Sequence, residues 1–368
     1  MLLHGIFPPI TTPFYPDGRI YLKKLEHNVE RYSKTPVAGI VVLGSTGEAI
    51  MLSDDERREV LKTAREACAP HKILIAGTGA ESAFETLRLS EYAASLGYDA
   101  ALVRTPFFYK PQLKPANILA FYRTVADHSP IPILIYSVPV FTGYDMAPEL
   151  VIELANHPNI VGIKESGGDA EKIRRMVEAT KHVKRNATVT TTFAAVTPRM
   201  IKAAQSESSG ESGELVSIGA LSADHTGHVG TAAPVRPAEQ GAANPISAGL
   251  KTRQKEVGFQ VLAGTAQRLL PALEAGAVGA ILAFATPAAT ACYEIYTAWK
   301  EGDAELAREK QVRVSASAIR VASELGIPAL KYALDLNGYY GGPPRLPLLP
   351  LTGDLKAEVE KLMSDIRN

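Results

Sequence analysis

Short apolar runs recur along the chain at intervals of roughly 30 residues, with helix-like patterns between them. Eight such runs are centred near residues 8, 41, 75, 102, 134, 162, 261 and 281. The runs do not alternate apolar and polar residues, which indicates strands buried on both faces, as in a parallel sheet. Eight strand–helix units predict a closed (βα)8 TIM barrel. A doubly wound open sheet is the structural alternative, but no GxGxxG motif follows the first run.

One interval is much longer than the others. About 100 residues separate the sixth run from the seventh, although one strand–helix unit takes roughly 30. A helix is predicted over 170–181, and the excess of about 65 residues lies within 184–250, which is rich in Ser, Gly, Ala and Pro. We predict an insertion between helix 6 and strand 7, on the face of the barrel away from the active site. An accessory subdomain or a partner-docking arm is the alternative.

The predicted domain organisation follows from these patterns. The barrel spans 1–295, interrupted by the insertion at 184–250, and a C-terminal helical extension covers 296–368. Helical patterns are predicted at 53–69, 287–299, 304–325 and 355–367, whereas the Gly- and Pro-rich stretch 338–351 is predicted to be irregular. Ser53 and Glu56 have the spacing of a capping box at the start of the first of these helices.

Charge and cysteine content argue against several classes of partner. Lys plus Arg equals Asp plus Glu at 39 each, so no basic excess indicates nucleic acid or an anionic membrane. No apolar run reaches the ~18 residues of a membrane span. Cys68 and Cys292 lack the spacing of a zinc site and are too few for a disulfide framework. With no signal-like pattern at residues 1–14, we expect a cytoplasmic protein.

The run NIVGIKES, residues 159–166, ends in a lysine, which is unusual after a buried strand. Active sites of βα barrels lie at the C-terminal ends of the strands, so Lys164 is expected at the barrel mouth. Burial there favours the neutral amine, which is a nucleophile toward carbonyl groups. The alternative is a strand-end lysine that pairs with Glu165 or extends to water.

Other strand ends supply hydroxyl groups. Tyr136 ends the fifth strand, in YSVP, and Ser45 and Thr46 follow the second strand, in GSTGE. A phenol and hydroxyls near an amine suit imine formation and carbon–carbon cleavage, because they can move a proton and bind a carboxylate. Each also has a structural interpretation, with Tyr136 capping a backbone group and GSTGE forming a tight turn before the next helix.

Five separated motifs resemble the dihydrodipicolinate synthase/N-acetylneuraminate lyase family of pyruvate-dependent class I aldolases. They are GSTGE, YSVPVFTGYD, HPNIVGIKESGGD, QVLAGTA and LGIPALKYALDLNGYYGGPPRLPL, and they cover nearly the whole chain outside the insertion. Within the family, YSVP, the HPNIVG…SGGD run and GYYGGPPRLPL are most similar to 4-hydroxy-2-oxoglutarate aldolase.

The resemblance implies a homotetrameric barrel that acts on pyruvate or another 2-oxo acid and an aldehyde, with no metal and no cofactor. It implies that Lys164 forms the Schiff base and that Tyr136 shuttles protons. Ser45 and Thr46 are expected to bind the substrate carboxylate or relay the proton. The implied substrate-binding set is Ser45, Thr46, Ser166, Gly264 and Phe141.

Three features depart from the family pattern. Phe141 occupies the position of the arginine with which dihydrodipicolinate synthases bind the carboxylate of their aldehyde. The histidines of the lysine-feedback site are absent after GSTGE. The tyrosine that the family supplies from a partner subunit, in TPYYN, falls on Phe108, with Tyr109 next to it. The first departure argues against dihydrodipicolinate synthesis as the main activity.

The main hypothesis is therefore a Schiff-base aldolase that cleaves 4-hydroxy-2-oxoglutarate to pyruvate and glyoxylate. Related activities on the same scaffold are the enzymatic alternative: cleavage of 2-keto-3-deoxy sugar acids, a hydratase-aldolase reaction, or dihydrodipicolinate synthesis. A non-catalytic binding barrel, with the insertion as its interaction surface, is the alternative from another class. The joint presence of Lys164, Tyr136, Ser45 and Thr46 argues against it.

Overall fold

The computed structural model describes residues 1–190 and 252–366, and its described residues outside 189–253 belong to one compact unit. The strands in chain order are β1 (Gly5–Phe7), β2 (Gly39–Val42), β3 (Ile73–Gly77), β4 (Ala100–Arg104), β5 (Ile133–Ser137), β6 (Ile160–Glu165), β7 (Arg185–Thr190), β8 (Thr252–Val257), β9 (Gln260–Ala263) and β10 (Gly279–Ile281). Eight of them form one sheet in the order β1-β10-β9-β6-β5-β4-β3-β2, in which all pairs are parallel. β7 and β8 form a separate two-stranded sheet.

Backbone hydrogen bonds join the two edge strands of the large sheet and close the barrel. The amide of Ala38 donates to the carbonyl of Ile6 at 3.0 Å, and that of Val41 donates to Pro8 at 2.9 Å. The amide of Ile10 returns a bond to Val41 at 2.9 Å. The predicted (βα)8 barrel is confirmed, and each of the eight predicted runs contains one strand of this sheet.

Helices follow the strands and also form the C-terminal region. Their bounds are α1 (Leu22–Ser33), α2 (Asp54–Ala67), α3 (Ala83–Ser95), α4 (Pro115–His128), α5 (Pro139–Thr142), α6 (Pro148–Ala155), α7 (Ala170–Ala179), α8 (Leu269–Glu274), α9 (Ala289–Lys300), α10 (Ala304–Ser317), α11 (Ile327–Leu336) and α12 (Gly353–Leu362). The predicted capping box begins α2: the amide of Ser53 donates to Glu56 at 2.9 Å, and the amide of Glu56 donates to the Ser53 hydroxyl at 3.3 Å.

The strands carry two apolar surfaces because successive side chains point to opposite faces. One set fills the barrel interior and includes Leu102, Leu134, Tyr136 and Leu262. The other set packs between the strands and the outer helices and includes Ile135, Ile163 and Ala263. Lys164 lies between Ile163 and Glu165 on β6, so its side chain belongs to the interior face.

The helical predictions need two corrections. The predicted helix 304–325 is α-helical only to Ser317 and continues as a wider π-type turn, Ala318–Glu324. The short helix α11 was missed, because Pro328 was not recognised as a first-turn proline, a position that suits its fixed backbone angle. Nearly all of the predicted insertion at 184–250 lies outside the described residues, and only β7 falls within it.

Among the described residues, no helix combines the length and the apolar character needed to cross a bilayer. Cys68 and Cys292 are both buried and neither forms a disulfide.

Candidate active site

Three neighbouring strands bring three polar side chains to one level at the barrel mouth. Arg104 on β4 pairs in register with Tyr136 on β5, and Tyr136 pairs with Lys164 on β6. Each is at or next to the C-terminal end of its strand. All three side chains belong to the interior face: Arg104 and Tyr136 lie two residues after the interior Leu102 and Leu134. Lys164 lies between Ile163 and Glu165, whose side chains belong to the outer face.

Lys164 is buried, and no ion-pairing partner for it lies within the part of the chain that the structure describes. Its side chain is 6% exposed, and Nζ lies 4.0 Å from the ring centroid of Tyr136. Among the described residues, no carboxylate comes within 4.0 Å of this nitrogen, and no hydrogen bond to it is formed. An amine held in this way is poorly solvated.

Glu165 does not neutralise Lys164, because the two adjacent side chains point to opposite faces of β6. The Glu165 carboxylate lies 3.1 Å from Lys172 Nζ and accepts a 2.6 Å hydrogen bond from the amide of Gly167. Burial raises the pKa of Glu165, and the ammonium of Lys172 opposes that shift. The paired-lysine interpretation of NIVGIKES therefore does not describe this structure.

The hydroxyl of Tyr136 shares a 3.0 Å hydrogen bond with Ser45 Oγ. Ser45 begins a single 3₁₀ turn, Ser45–Gly47, directly after β2. Thr46, next to it, is 5% exposed. The predicted structural role for Tyr136, a cap on a backbone group, is not seen among the described residues, since its hydroxyl bonds to a side chain instead. Tyr136 and Ser45 thus form a short hydrogen-bonded path along which a proton can move.

A pocket of about 370 Å³ opens beside this pair. Of the residues predicted for the site, Ser45, Tyr136 and Phe141 line it, whereas Lys164, Thr46, Ser166 and Gly264 do not. Lys164 nevertheless belongs to the same site through its contact with the Tyr136 ring. Phe141 is 64% exposed, on the short helix α5. The pocket walls are mostly apolar, and Arg104 adds a guanidinium that the sequence analysis missed.

Ser166 and Gly264 lie against each other on neighbouring strand ends. A Cβ atom placed on Gly264 would come within 2.1 Å of Ser166 Oγ and 2.7 Å of the Glu165 carbonyl oxygen. Ser166 Oγ is buried and has no hydrogen-bond partner among the described residues. Ser166 follows Lys164 by two residues, so this unsatisfied hydroxyl belongs to the same strand end.

Gly264→Ala should therefore displace the strand end that carries Lys164. We expect a loss of about 1–3 kcal/mol in the free energy of unfolding, as for overpacked sites, together with reduced activity. Urea unfolding measures the first effect. Gly353→Ala is the matched control, because no atom of residues 1–190 or 252–366 lies within 4 Å of a Cβ at that position. Equal stability of the two variants would contradict the expected clash.

A second buried lysine stabilises the loop after Ser45 and was also missed by the sequence analysis. Lys331 on α11 lies 2.5 Å from Glu48 Oε1, and both side chains are 1% exposed. The other Glu48 oxygen accepts the amide of Arg345 at 2.8 Å. Glu48 adopts a left-handed backbone conformation, φ 55°. The C-terminal region thus fixes the turn that presents Ser45.

A barrel with a buried, unpaired lysine beside a phenol and a hydroxyl is the arrangement of an imine-forming enzyme. The family model described as the dihydrodipicolinate synthetase family matches residues 2–211 and 242–366, so the chain belongs to this family. Members of the family are class I lyases that act through a Schiff base, and this chain is an enzyme of that class. The family resemblance predicted from the five motifs is confirmed.

Individual relatives agree with the family assignment. A 4-hydroxy-tetrahydrodipicolinate synthase of Methanothrix thermoacetophila is 28% identical over 363 residues, which is 99% of this chain and 97% of the relative. One from Methanoculleus marisnigri is 41% identical over 182 residues, 49% of this chain and 62% of that protein. Among solved structures, a dihydrodipicolinate synthase from Bacillus anthracis superimposes with a TM-score of 0.75 at 20% identity, with both chains fully covered. YagE, an Escherichia coli K12 prophage protein solved in complex with pyruvate, superimposes with a TM-score of 0.72 at 23% identity. The superposition covers 100% of this chain and 99% of the YagE chain.

Proposed function

We propose that the protein is an aldolase that cleaves 4-hydroxy-2-oxoglutarate to pyruvate and glyoxylate, with Lys164 as the Schiff-base lysine. The observation that carries this proposal is the buried Lys164 amine, which has no carboxylate partner among the described residues and lies against Tyr136. A lysine amine of this kind is the nucleophile that forms an imine with a carbonyl carbon.

The reaction begins when Lys164 Nζ attacks the C2 carbonyl and water leaves, which gives a protonated imine. This cation accepts the electron pair of the C3–C4 bond. The C4 hydroxyl proton passes into the 3.0 Å hydrogen-bonded pair of Tyr136 and Ser45, and the same pair returns a proton to C3 of the enamine in the next step. Glyoxylate leaves, and an enamine remains on Lys164. Protonation at C3 and hydrolysis of the imine release pyruvate and restore the amine.

Thr46, Ser166 and Gly264 complete the proposed binding site. We assign the C1 carboxylate to the turn that contains Ser45 and Thr46, because backbone N–H groups and hydroxyls are its donors. Ser166 contributes the unsatisfied hydroxyl described above, and Gly264 leaves room for it. Phe141 borders the pocket entrance.

Tyr136→Phe removes the phenol oxygen and retains the ring that lies against Lys164. We expect kcat for cleavage to fall by about 10²–10⁴-fold, the range for loss of a general acid–base group. Pyruvate release is followed with a coupled dehydrogenase. Tyr144→Phe is the matched control, since that ring is not among the pocket-lining residues. An unchanged kcat in Tyr136→Phe would remove the phenol from the mechanism.

Dihydrodipicolinate synthesis is the second candidate. It is favoured by the name of the Methanothrix thermoacetophila relative, which matches nearly the full length of this chain. Against it stands Phe141, which provides no guanidinium for the aldehyde substrate. The test compares three reactions at equal enzyme concentration. They are cleavage of 4-hydroxy-2-oxoglutarate, cleavage of 2-keto-3-deoxygluconate, and condensation of pyruvate with aspartate semialdehyde. The proposal predicts the highest kcat/KM for 4-hydroxy-2-oxoglutarate, and faster condensation would favour the second candidate.

A homotetramer and a cytoplasmic location stay predictions. Support for self-association comes from apolar side chains that are largely exposed at the end of the barrel where the site lies. They are Phe108, Tyr109, Val140 and Phe141. A second copy that covered them would remove this apolar surface from water.

A further inference from the structure

Arg104 lies at the barrel mouth although neither the main mechanism nor the sequence motifs use it. It is the last residue of β4, and its side chain is 22% exposed. Leu102, two residues earlier, points into the barrel, so Arg104 lies on the same interior face. Arg104 lines the pocket together with Tyr136 and Phe141.

The surrounding residues hold this guanidinium in one place. Arg104 Nη1 donates to Glu81 Oε1 at 2.7 Å and to the Thr105 carbonyl at 3.2 Å. The guanidinium carbon lies 4.7 Å from the ring centroid of Phe107. A Cβ on Gly79 would approach the Arg104 backbone nitrogen to 2.5 Å, so glycine is needed for this packing. Such anchoring lowers the entropy lost when the arginine binds a ligand.

One edge of the guanidinium remains available. Within residues 1–190 and 252–366, Nη1 makes all the hydrogen bonds of this side chain, and Nε and Nη2 make none. Nε–H and Nη2–H are the parallel pair of donors that binds a carboxylate in a bidentate manner. Glu81 does not block this edge, because its second oxygen accepts the amides of Phe107 and Phe108 at 2.9 Å each.

The order of the side chains matches the order of groups in the proposed substrate. Lys164, Tyr136 and Arg104 occupy successive strands at one register level, with neighbouring strands about 4.8 Å apart. In 4-hydroxy-2-oxoglutarate the C2 carbonyl, the C4 hydroxyl and the C5 carboxylate follow in the same sequence. With C2 on Lys164 and the C4 hydroxyl at Tyr136, the C5 carboxylate extends toward β4.

We propose that Arg104 binds the distal carboxylate of the 2-oxo acid and makes the site selective for five-carbon dicarboxylates over monocarboxylates. This inference rests on the proposed function, since it places C2 on Lys164. It also explains how the site recognises a second carboxylate although Phe141 stands where a guanidinium is expected. Among the described residues that line the pocket, Glu48 is the single acidic one, and its charge is paired with Lys331.

The test measures imine formation, so it does not require cleavage. The enzyme is titrated with pyruvate, 2-oxoglutarate or 2-oxopentanoate, reduced with borohydride, and the Lys164 adduct is quantified by mass. 2-Oxoglutarate and 2-oxopentanoate have the same chain length and differ in the distal carboxylate. For the unaltered enzyme, we expect the concentration of 2-oxoglutarate that gives half-maximal trapping to be about 100-fold lower than that of 2-oxopentanoate.

Arg104→Gln should abolish this preference, and Arg104→Lys should retain part of it, because an ammonium supplies charge without the bidentate geometry. Trapping of pyruvate and 2-oxopentanoate should stay unchanged in both variants. Arg88→Gln is the matched control, as Arg88 pairs with Asp54 and Glu85 and does not line this pocket.

Two results would overturn the inference. One is equal trapping of the two five-carbon acids by the unaltered enzyme. The other is a parallel loss for all three acids in Arg104→Gln, which would indicate a structural role for the arginine. If pyruvate leaves no adduct on Lys164 in the unaltered enzyme, the proposed function itself fails, and the assignment of Arg104 fails with it.

Discussion

Lys164→Met should abolish cleavage of 4-hydroxy-2-oxoglutarate, with a fall in kcat on the order of 10³-fold or more, because the covalent intermediate can no longer form. The same substitution should leave the free energy of unfolding within about 1 kcal/mol of the original value, since an apolar side chain suits a buried position without an ion pair. Pyruvate release and urea unfolding measure the two quantities.

Two further variants separate the amine's chemistry from its charge. Lys164→Arg retains a cation and cannot form an imine, so its activity should fall as far as that of Lys164→Met. Lys23→Met, on the exposed side of α1, is the control and should remain fully active. Appreciable turnover in Lys164→Met would remove this lysine from the reaction.

Lys331→Met, unlike Lys164→Met, should strongly lower the free energy of unfolding. The substitution leaves the carboxylate of Glu48 buried, with side-chain exposure of 1% and without its ion pair. Breaking a buried pair from one side costs about 3–5 kcal/mol, which is a large fraction of a typical domain's stability. Burial lowers the pKa of Lys331 to about 8, although the carboxylate of Glu48 opposes that shift.

The double variant Glu48→Gln/Lys331→Met tests whether the unpaired carboxylate causes this loss. Removal of both charges should recover most of the unfolding free energy, because glutamine can still accept the amide of Arg345. Urea unfolding of the single and double variants forms the cycle. A loss below about 1 kcal/mol in Lys331→Met, or no recovery in the double variant, would contradict the proposed role of this pair.

The contrast between the two buried lysines shows what the sequence could and could not predict. The position of Lys164 was predictable, because an apolar strand that ends in a charged residue places that residue at the barrel mouth. The same signal is present in ALVRTP, where an apolar strand ends in Arg104, although this residue lies outside the five family motifs. Sequence periodicity therefore indicates two charged residues of the site, Lys164 and Arg104.

The Glu48–Lys331 pair could not be predicted in this way. Its members are 283 residues apart, and Lys331 lies within a short helix that was itself missed. Periodicity reports which face of an element is buried, whereas this contact depends on how the C-terminal region packs on the barrel. The eight strands were predictable because each is buried on both faces, which gives continuous apolar runs.

The most direct measurement is borohydride reduction of the enzyme in the presence of pyruvate, followed by intact mass and peptide mapping. We expect one pyruvate-derived adduct per chain, located on Lys164 and absent from Lys164→Met. A folded enzyme with no adduct, or with the adduct on another lysine such as Lys331, would contradict the assignment of Lys164 as the Schiff-base residue.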